Sequence, residues 1–207
     1  EIGAVKVVNG KMTDTVSVFV NPMRPIPYQI QKLTGIDDSM VAKARTIEEI
    51  LPEFMAFCDG CVMVAHNASF DLGFIDQKAK DQGITTDYTV VDTVSVARAL
   101  LPDLKRYKLD TVAKRLGVSL ENHHRAVDDA TATAEIFVRM VERLAAKGIT
   151  TLTQLNEFCV PDEETIRKMP SYHAVILAKN ETGRVNLYRL VSESHLKYFT
   201  FALNPSE

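Results

Sequence analysis

This 207-residue chain has only three cysteines, and no apolar run in it is long enough to span a bilayer. An odd number of cysteines does not form a disulfide framework, and the chain has no signal-peptide pattern. The net charge of −3 lacks the basic excess of proteins that coat duplex DNA through a broad positive face. We therefore expect a cytoplasmic protein with no membrane partner.

The cysteines include one Cys-x-x-Cys pair, Cys58 and Cys61, and the pattern identifies no partner for Cys159. Zinc and redox sites of this type are normally completed by further ligands or a second pair. The sequence contains no second pair, so we assign neither chemistry to these residues.

The apolar fraction of 46% and the charged fraction of 25% indicate a globular protein that can bury a full core and carry an appendage. Strand patterns over residues 1–8 and 15–20 flank Asn9-Gly10, a dipeptide typical of hairpin turns. Two further strand patterns, one ending at His66 and one over residues 89–91, are each followed by a helical pattern. This order predicts an α/β fold with a sheet of mixed direction.

A histidine-rich stretch opens the longest helix. An apolar stripe predicts this helix over residues 128–147; the stripe consists of Ile136, Phe137, Met140, Val141 and Leu144. Two His/Asp pairs share a five-residue offset, His123 with Asp128 and His124 with Asp129. The helical phase continues the stripe through Asp129 and puts Asp128 on the solvent face, so Asp129 is predicted to point inward.

An inward carboxylate is costly to keep ionised unless a cation or hydrogen bonds meet it, so Asp129 is a candidate metal ligand or catalytic group. Capping of backbone amides at the helix N-terminus is an equally open interpretation. A second stretch favours the metal or catalytic interpretation. An apolar strand over residues 62–65 leads into a turn, and a helix opens with Asp71 in its first turn. Ligands of α/β folds gather at such junctions, so Asp71 and Asp129 form a candidate carboxylate cluster, although a turn with an N-cap also explains residues 67–71.

Two segments, His66-Asn67-Ala68-Ser69-Phe70-Asp71 and His124-Arg125-Ala126-Val127-Asp128-Asp129, resemble the second and third motifs of the DEDDh 3′→5′ exonucleases, the proofreading family. The resemblance implies a ribonuclease-H-like (DnaQ-like) fold, a mixed sheet flanked by helices, and two-metal phosphodiester hydrolysis. By the same resemblance, Asp71 and Asp129 are metal-site carboxylates for two divalent ions, magnesium or manganese. His124 is then the general base, a role that suits an imidazole near neutral pH.

The resemblance also implies contacts with the substrate. Asn67 and Phe70 belong to the second motif. Thr34, Gly35 and Ile36 match a turn that lies against the terminal nucleotide in this family. A helix C-cap at Gly35 explains that turn equally well.

Other polar residues receive structural interpretations. Asp92 is predicted to be an N-cap, and His66 a hydrogen-bonded residue at a buried strand end. A set of basic residues forms either a local positive edge that binds the end of a nucleic-acid strand or an ordinary solvated surface. This set comprises Lys105, Arg106, Lys108, Lys114, Arg115 and Arg125.

The first motif of the family is Asp-x-Glu, and it lies on the strand that precedes a segment like residues 1–8. This motif is absent from the sequence. The nearest pattern, Asp162-Glu163-Glu164, lies in a late acidic run with a different context. The sequence also begins without Met. We therefore expect a fragment whose first strand is missing, and we expect this fragment alone to be inactive.

The composition changes after residue 147, and the domain prediction follows that change. Residues 1–147 form the exonuclease domain and residues 148–170 a linker. Residues 171–207 resemble the segment with which the PHP domain of bacterial replicative polymerases resumes, with a strand over residues 173–180 and a helix over residues 186–191.

An exonuclease inserted into a PHP domain is the arrangement of the PolC-type replicative polymerase family. This resemblance implies proofreading of the primer 3′ end, with single-stranded DNA and the rest of the polymerase and replisome as partners. Two alternatives are a free-standing DEDDh exonuclease of DNA or RNA repair or maturation, and an inactive nuclease-fold binding module. The PHP-like segment argues against the first. The missing first motif keeps the second open for this chain, whereas retention of Asp71, His124 and Asp129 argues against it for the parent protein.

Overall fold

The structure is a computed structural model that describes residues 1–120, 125–160 and 176–197. It divides into two compact units, Glu1–Cys159 and Val160–Glu207. In the described residues the elements are β1 Ile2–Val8, β2 Lys11–Val18, α1 Tyr28–Thr34, α2 Asp38–Val41, α3 Ile47–Cys58, β3 Met63–Ala65, α4 Ala68–Asp81, β4 Val90–Asp92, α5 Thr93–Leu100, α6 Leu109–Leu116, α7 Ala126–Ala145, α8 Leu152–Phe158 and α9 Glu181–Lys197.

The first two strands form the predicted hairpin. β1 and β2 pair in antiparallel fashion, with a register shift between Lys6 and Val7. Asn9 and Gly10 connect them with φ angles of 52° and 75°, the left-handed pair that a tight hairpin turn requires. The second strand begins at Lys11, earlier than the predicted residue 15, because the two-residue turn lets pairing start at once.

The other two strands, β3 and β4, pair in parallel and are joined through α4. Such a crossover brings the carboxyl ends of both strands to the same edge. Both strand directions are therefore present, as predicted. In the described residues, however, the strands form two separate two-stranded ladders rather than one continuous sheet.

Helix α7 packs against β1, β2 and β3 and carries the centre of the larger core. Its Ile136 and Met140 are fully buried and Leu144 is 4% exposed, as the stripe predicts. Phe137 is partly buried at the edge of this core. The prediction is wrong for Val141, which is 45% exposed, because it lies one residue beyond the i, i+4 row of buried side chains. A smaller core forms around Leu51, Phe54 and Ala79, under the hairpin.

Helix α8 extends the first unit beyond the predicted domain end at residue 147. Its Leu155 is 7% exposed and joins the larger core, and the compact unit continues to Cys159. Residues 148–159 therefore do not behave as a linker. The rest of the predicted linker, after Val160, lies outside the described residues.

The second unit is described only at Val160 and over residues 176–197. The predicted strand over residues 173–180 is wrong for residues 176–180, which form no strand, and its first three residues lie outside the described part. Asn180 instead accepts a hydrogen bond from the Gly183 amide at 2.8 Å, which caps α9. The predicted helix over residues 186–191 is confirmed and is longer, Glu181–Lys197.

Among the described residues, no helix combines the length and apolarity needed to cross a membrane.

Candidate active site

The turn after β3 presents the first candidate carboxylate. Asn67 adopts a left-handed conformation with φ 69°, which asparagine tolerates better than most residues. Helix α4 begins directly after it, so Asp71 falls in the first helical turn. The strand therefore ends at Ala65, and Asp71 follows six residues later in the first turn of a helix, the strand–turn–helix order that the sequence pattern predicts.

Asp92 at the end of β4 holds this turn in place. Its Oδ1 accepts hydrogen bonds from the Val94 amide at 2.9 Å and from the Asn67 amide at 3.0 Å. The first bond is the N-cap of α5, so the structural interpretation of Asp92 is confirmed. The second bond was not predicted. One carboxylate oxygen thus ties two strand ends together beside Asp71.

His66 is also structural, as predicted. Its Nδ1 lies 2.9 Å from the hydroxyl of the fully buried Thr93, and its Nε2 lies 2.8 Å from the Tyr107 carbonyl oxygen. Because that carbonyl can only accept, Nε2 carries the proton of this bond. Both ring nitrogens are therefore engaged by neighbouring elements, which leaves neither free to act as a base.

Asp71 and Asp129 share an electrostatic environment. Burial raises the pKa of Asp71, and the negative charges of Asp129 and Asp92 raise it further, whereas His66 lowers it. The residue surface of Asp71 is nevertheless exposed, so this carboxyl lies in an open recess rather than in the core. Clustered carboxylates that disfavour one another's ionisation are typical of cation and catalytic sites.

The choice between Asp128 and Asp129 is decided by charge rather than by burial. Both residues are half-buried, so the predicted contrast between an inner and an outer face is not visible in their exposure. Asp129 acts on Asp71, whereas Asp128 acts on the Arg125 guanidinium and lines a shallow depression with Thr131 and Glu135. The charge of Asp129 therefore reaches Asp71, and the role of Asp129 as a metal-site carboxylate stays a prediction. The other predicted site residue of this segment, His124, lies outside the described residues, as does His123.

The donor chemistry of the cluster suits a hard divalent cation. Magnesium and manganese prefer carboxylate oxygens, and a cation would relieve the repulsion that raises the pKa of Asp71. Within the described ranges, no group of three or more His, Cys, Asp or Glu side chains is arranged to hold a metal ion. Two carboxylates alone do not complete such a ligand set.

An aromatic pair stands beside Asp71. Phe70 is 64% exposed and Phe74 is 65% exposed, and their rings meet edge to face with centroids 5.3 Å apart. Phe70 was a predicted substrate contact, whereas Phe74 was missed. Its signal in the sequence is the i, i+4 spacing of two phenylalanines on a helix, which predicts neighbouring rings.

The three residues predicted from the terminal-nucleotide turn each have a structural role. Gly35 is a left-handed C-cap with φ 71°, as the alternative interpretation holds. The Thr34 hydroxyl donates to the Ile30 carbonyl at 2.8 Å and accepts from the Ile36 amide at 3.2 Å. Ile36 is 7% exposed. Contact of these residues with a substrate remains a prediction.

The sequence did not predict the ion pairs that two of the basic residues form. The Glu1 carboxylate pairs with Arg125, which the sequence had grouped with a basic edge. Arg115 of the same group pairs with Asp103 at 3.2 Å, in an exposed ion pair. No local pattern links Glu1 with Arg125, because the two residues are distant in the chain.

The cysteines carry no evident chemistry. All three are free thiols. Burial raises the pKa of Cys58 to about 11, and the neighbouring Cys61 also raises it, so this thiol is not an activated thiolate.

The fold and this site define a class of nuclease. A family profile described as "Exonuclease" matches residues 1–137, and the chain belongs to that exonuclease family. It is 51% identical over 199 residues to the DNA polymerase III PolC-type of Caldanaerobacter subterraneus subsp. tengcongensis, and 52% identical over 203 residues to that of Clostridium perfringens. Both matches cover 96% of this chain but only 14% of the relative's length.

Solved structures give the same fold. Exonuclease X in complex with 5′ overhanging duplex DNA is similar with a TM-score of 0.58 and 26% identity, over 76% of this chain and 89% of that one. The nuclease domain of 3′hExo, described as a DEDDh family member bound to rAMP, is similar in fold with a TM-score of 0.57, 17% identity, and coverage of 68% and 76%. The predicted fold class is therefore confirmed.

Proposed function

We propose that this chain carries the metal-dependent 3′→5′ proofreading exonuclease of a PolC-type replicative DNA polymerase III. The observation that carries the proposal is that the charge of Asp129, on α7, raises the pKa of Asp71, which opens α4 just after β3. Membership of the exonuclease family supports the reaction class, and identity of about half with two PolC-type relatives supports the context.

Asp71 and Asp129 would hold two divalent ions, magnesium or manganese, together with carboxylates from outside this chain. When bound, these ions supply an activated water and a clamp for the in-line transition state. His124 accepts the proton of the attacking water as general base. Asn67 and Phe70, with Thr34, Gly35 and Ile36, hold the terminal nucleotide.

The polymerase context is favoured over a free-standing exonuclease by the extent of the similarity. The exonuclease profile ends at residue 137, whereas similarity to PolC-type relatives continues over 96% of the chain. We assign residues 1–147 to the exonuclease, extended by the α8 segment that belongs to the same compact unit, and residues 171–207 to a resumed PHP segment. The partners are then the single-stranded primer 3′ end and the rest of the polymerase and replisome.

We also propose that the 207-residue chain alone does not hydrolyse DNA. It contains two of the four family carboxylates and no Asp-x-Glu motif in a strand context. A longer protein that includes this motif on a strand ahead of β1 completes the site.

A primer–template duplex in which the primer has a mismatched 3′ end tests the proposal. The longer protein, with magnesium or manganese and no nucleotides, should shorten a 5′-labelled primer stepwise, and a mismatched end should be removed faster than a paired one. The matched control is the same primer with a 3′-terminal phosphorothioate. Removal of nucleotides from the 5′ end, or no shortening with either metal, would contradict the proposal.

A further inference from the structure

We propose that Glu1, Gly3 and Arg125 form a positioning clamp that fixes the first turn of α7, and through it Asp129, against β1. The inference rests on the proposed function, because it concerns the geometry of that site. None of the three residues contacts the reacting atoms in this interpretation.

The first part of the clamp is a fork of hydrogen bonds from the start of the chain. The Glu1 carboxylate accepts from Arg125 Nη2 at 2.9 Å, from Arg125 Nε at 3.1 Å and from the Ala126 amide at 3.1 Å. The Glu1 side chain is 4% exposed. A two-pronged arginine–carboxylate contact fixes orientation as well as distance.

The carboxylate also solves a capping problem of α7. Arg125 occupies the N-cap position, and its side chain makes no cap hydrogen bond to its own helix, since a guanidinium can only donate. Glu1, the residue just ahead of β1, therefore caps the Ala126 amide. A negative charge at a helix N-terminus is also favoured by the helix dipole.

Gly3 brings the helix closer than any other residue would allow. A Cβ atom built on Gly3 would lie 2.2 Å from the Ala126 carbonyl carbon and 2.3 Å from the Val127 amide nitrogen. Both are backbone atoms of α7, so a side chain at this position would push the helix itself away by roughly 1 Å before ordinary contact was restored.

The guanidinium is held from another direction as well. The Phe19 ring lies against it, 5.4 Å from the ring centroid, in a cation–π contact. Arg125 is therefore held by the Glu1 carboxylate and by an aromatic ring just beyond β2. Because its carbonyl accepts the first α7 hydrogen bond from the Asp129 amide at 3.0 Å, a shift of Arg125 is transmitted directly to Asp129.

The test uses the longer, metal-activated protein with the variants Glu1→Gln, Arg125→Lys and Gly3→Ala. Each should lower kcat by roughly ten- to a hundredfold with little change in KM, because a displacement of about 1 Å at reacting groups has an effect of that order. Hydrogen exchange at the Ala126 amide should speed up in all three. The control is Glu53→Gln. It breaks the exposed two-pronged pair between Glu53 of α3 and Arg45, at 2.6 and 2.9 Å, and should change neither kcat nor the exchange rate of the Ala126 amide.

Two results would overturn the inference, and they are distinguishable. If the wild-type protein hydrolyses DNA and the variants lose Ala126 protection but keep their kcat, the contact is structural only. If the wild-type protein shows no hydrolysis while Ala126 remains protected, the proposed function fails and the positioning role fails with it.

Discussion

Removal of the Asp92 carboxylate should weaken the fold measurably. In Asp92→Ala, the amides of Asn67 and Val94 both lose the oxygen that accepts from them at 3.0 and 2.9 Å. Loss of an N-cap costs about 1 kcal/mol, and a hydrogen bond to a charged acceptor is worth about 1.5–3 kcal/mol. Water can replace part of the more exposed Asn67 bond, so we expect a combined loss of about 2 kcal/mol.

The assay is urea unfolding of the variant and the wild type, with a thermal scan as a second measurement. For a unit of this size, 2 kcal/mol lowers the Tm by roughly 4–8 °C. Asp92→Asn keeps an oxygen acceptor in place and should lose about half as much, because only the charge is removed. The denaturant midpoint should fall without a change in the slope.

A matched control comes from the segment that leads from α4 into β4. Asp87 is exposed and makes no such bridge between strand ends, so Asp87→Ala should change the free energy of unfolding by less than about 0.5 kcal/mol. If Asp92→Ala lost no more stability than Asp87→Ala, the bridge would not contribute to the fold, and the account of how Asn67 and Asp71 are held would be refuted.

Three further predictions follow from individual side chains. Because the pKa of Asp71 is raised in the folded protein, ionisation of this carboxyl lowers the free energy of unfolding at pH values above that pKa. The loss of stability disappears as the pH falls through the pKa and the carboxyl becomes protonated. Without metal, Asp71→Asn should therefore have a higher Tm than the wild type at pH 7 but not at pH 3. In the longer protein, the same variant should lose the Tm increase that magnesium or manganese gives the wild type. A Tm below that of the wild type at pH 7 would contradict the raised pKa of Asp71. Met140→Ala, at a residue with 0% exposure, should cost about 2–5 kcal/mol in urea unfolding, whereas Val141→Ala next to it, 45% exposed, should cost under about 1 kcal/mol; equal losses would contradict the assignment of the core face. Phe70→Ala should weaken binding of a fluorescent single strand by about 1–3 kcal/mol, the value of one base stack, whereas Phe70→Tyr should bind as wild type does; unchanged affinity in Phe70→Ala would exclude stacking there.

Local patterns predict most of the elements because the signals and the structures they produce lie within a few residues. Asn9-Gly10 forms the predicted hairpin turn, and the Thr46-x-x-Glu49 pattern forms a capping box at the start of α3. The stripe of α7 gives the buried face through Ile136 and Met140. The predicted strand over residues 173–180 failed where it is described, because Asn180 serves as a helix cap and local apolar composition does not reveal such competition.

The candidate site was predictable to the extent that its residues sit in short motifs. Asp71 falls at a strand–helix junction, and Asp129 belongs to the first turn of α7, although helical phase does not separate it from Asp128 by burial. The contacts that hold these two residues could not be predicted from spacing. Glu1 meets Arg125 from the opposite end of the domain, and Asp92 reaches Asn67 across a strand pair. Both pairs depend on the tertiary fold, which brings together residues with no shared local signal.

We propose that Asp129, and not its neighbour Asp128, is a metal-site carboxylate of a 3′→5′ exonuclease. Asp128→Ala and Asp129→Ala should be compared in the longer protein, on a 5′-labelled single strand with magnesium or manganese. We expect stepwise 3′ shortening by the wild type and by Asp128→Ala, and loss of shortening in Asp129→Ala, with both variants folded. Shortening by Asp129→Ala at the wild-type rate, or equal losses in the two variants, would contradict it.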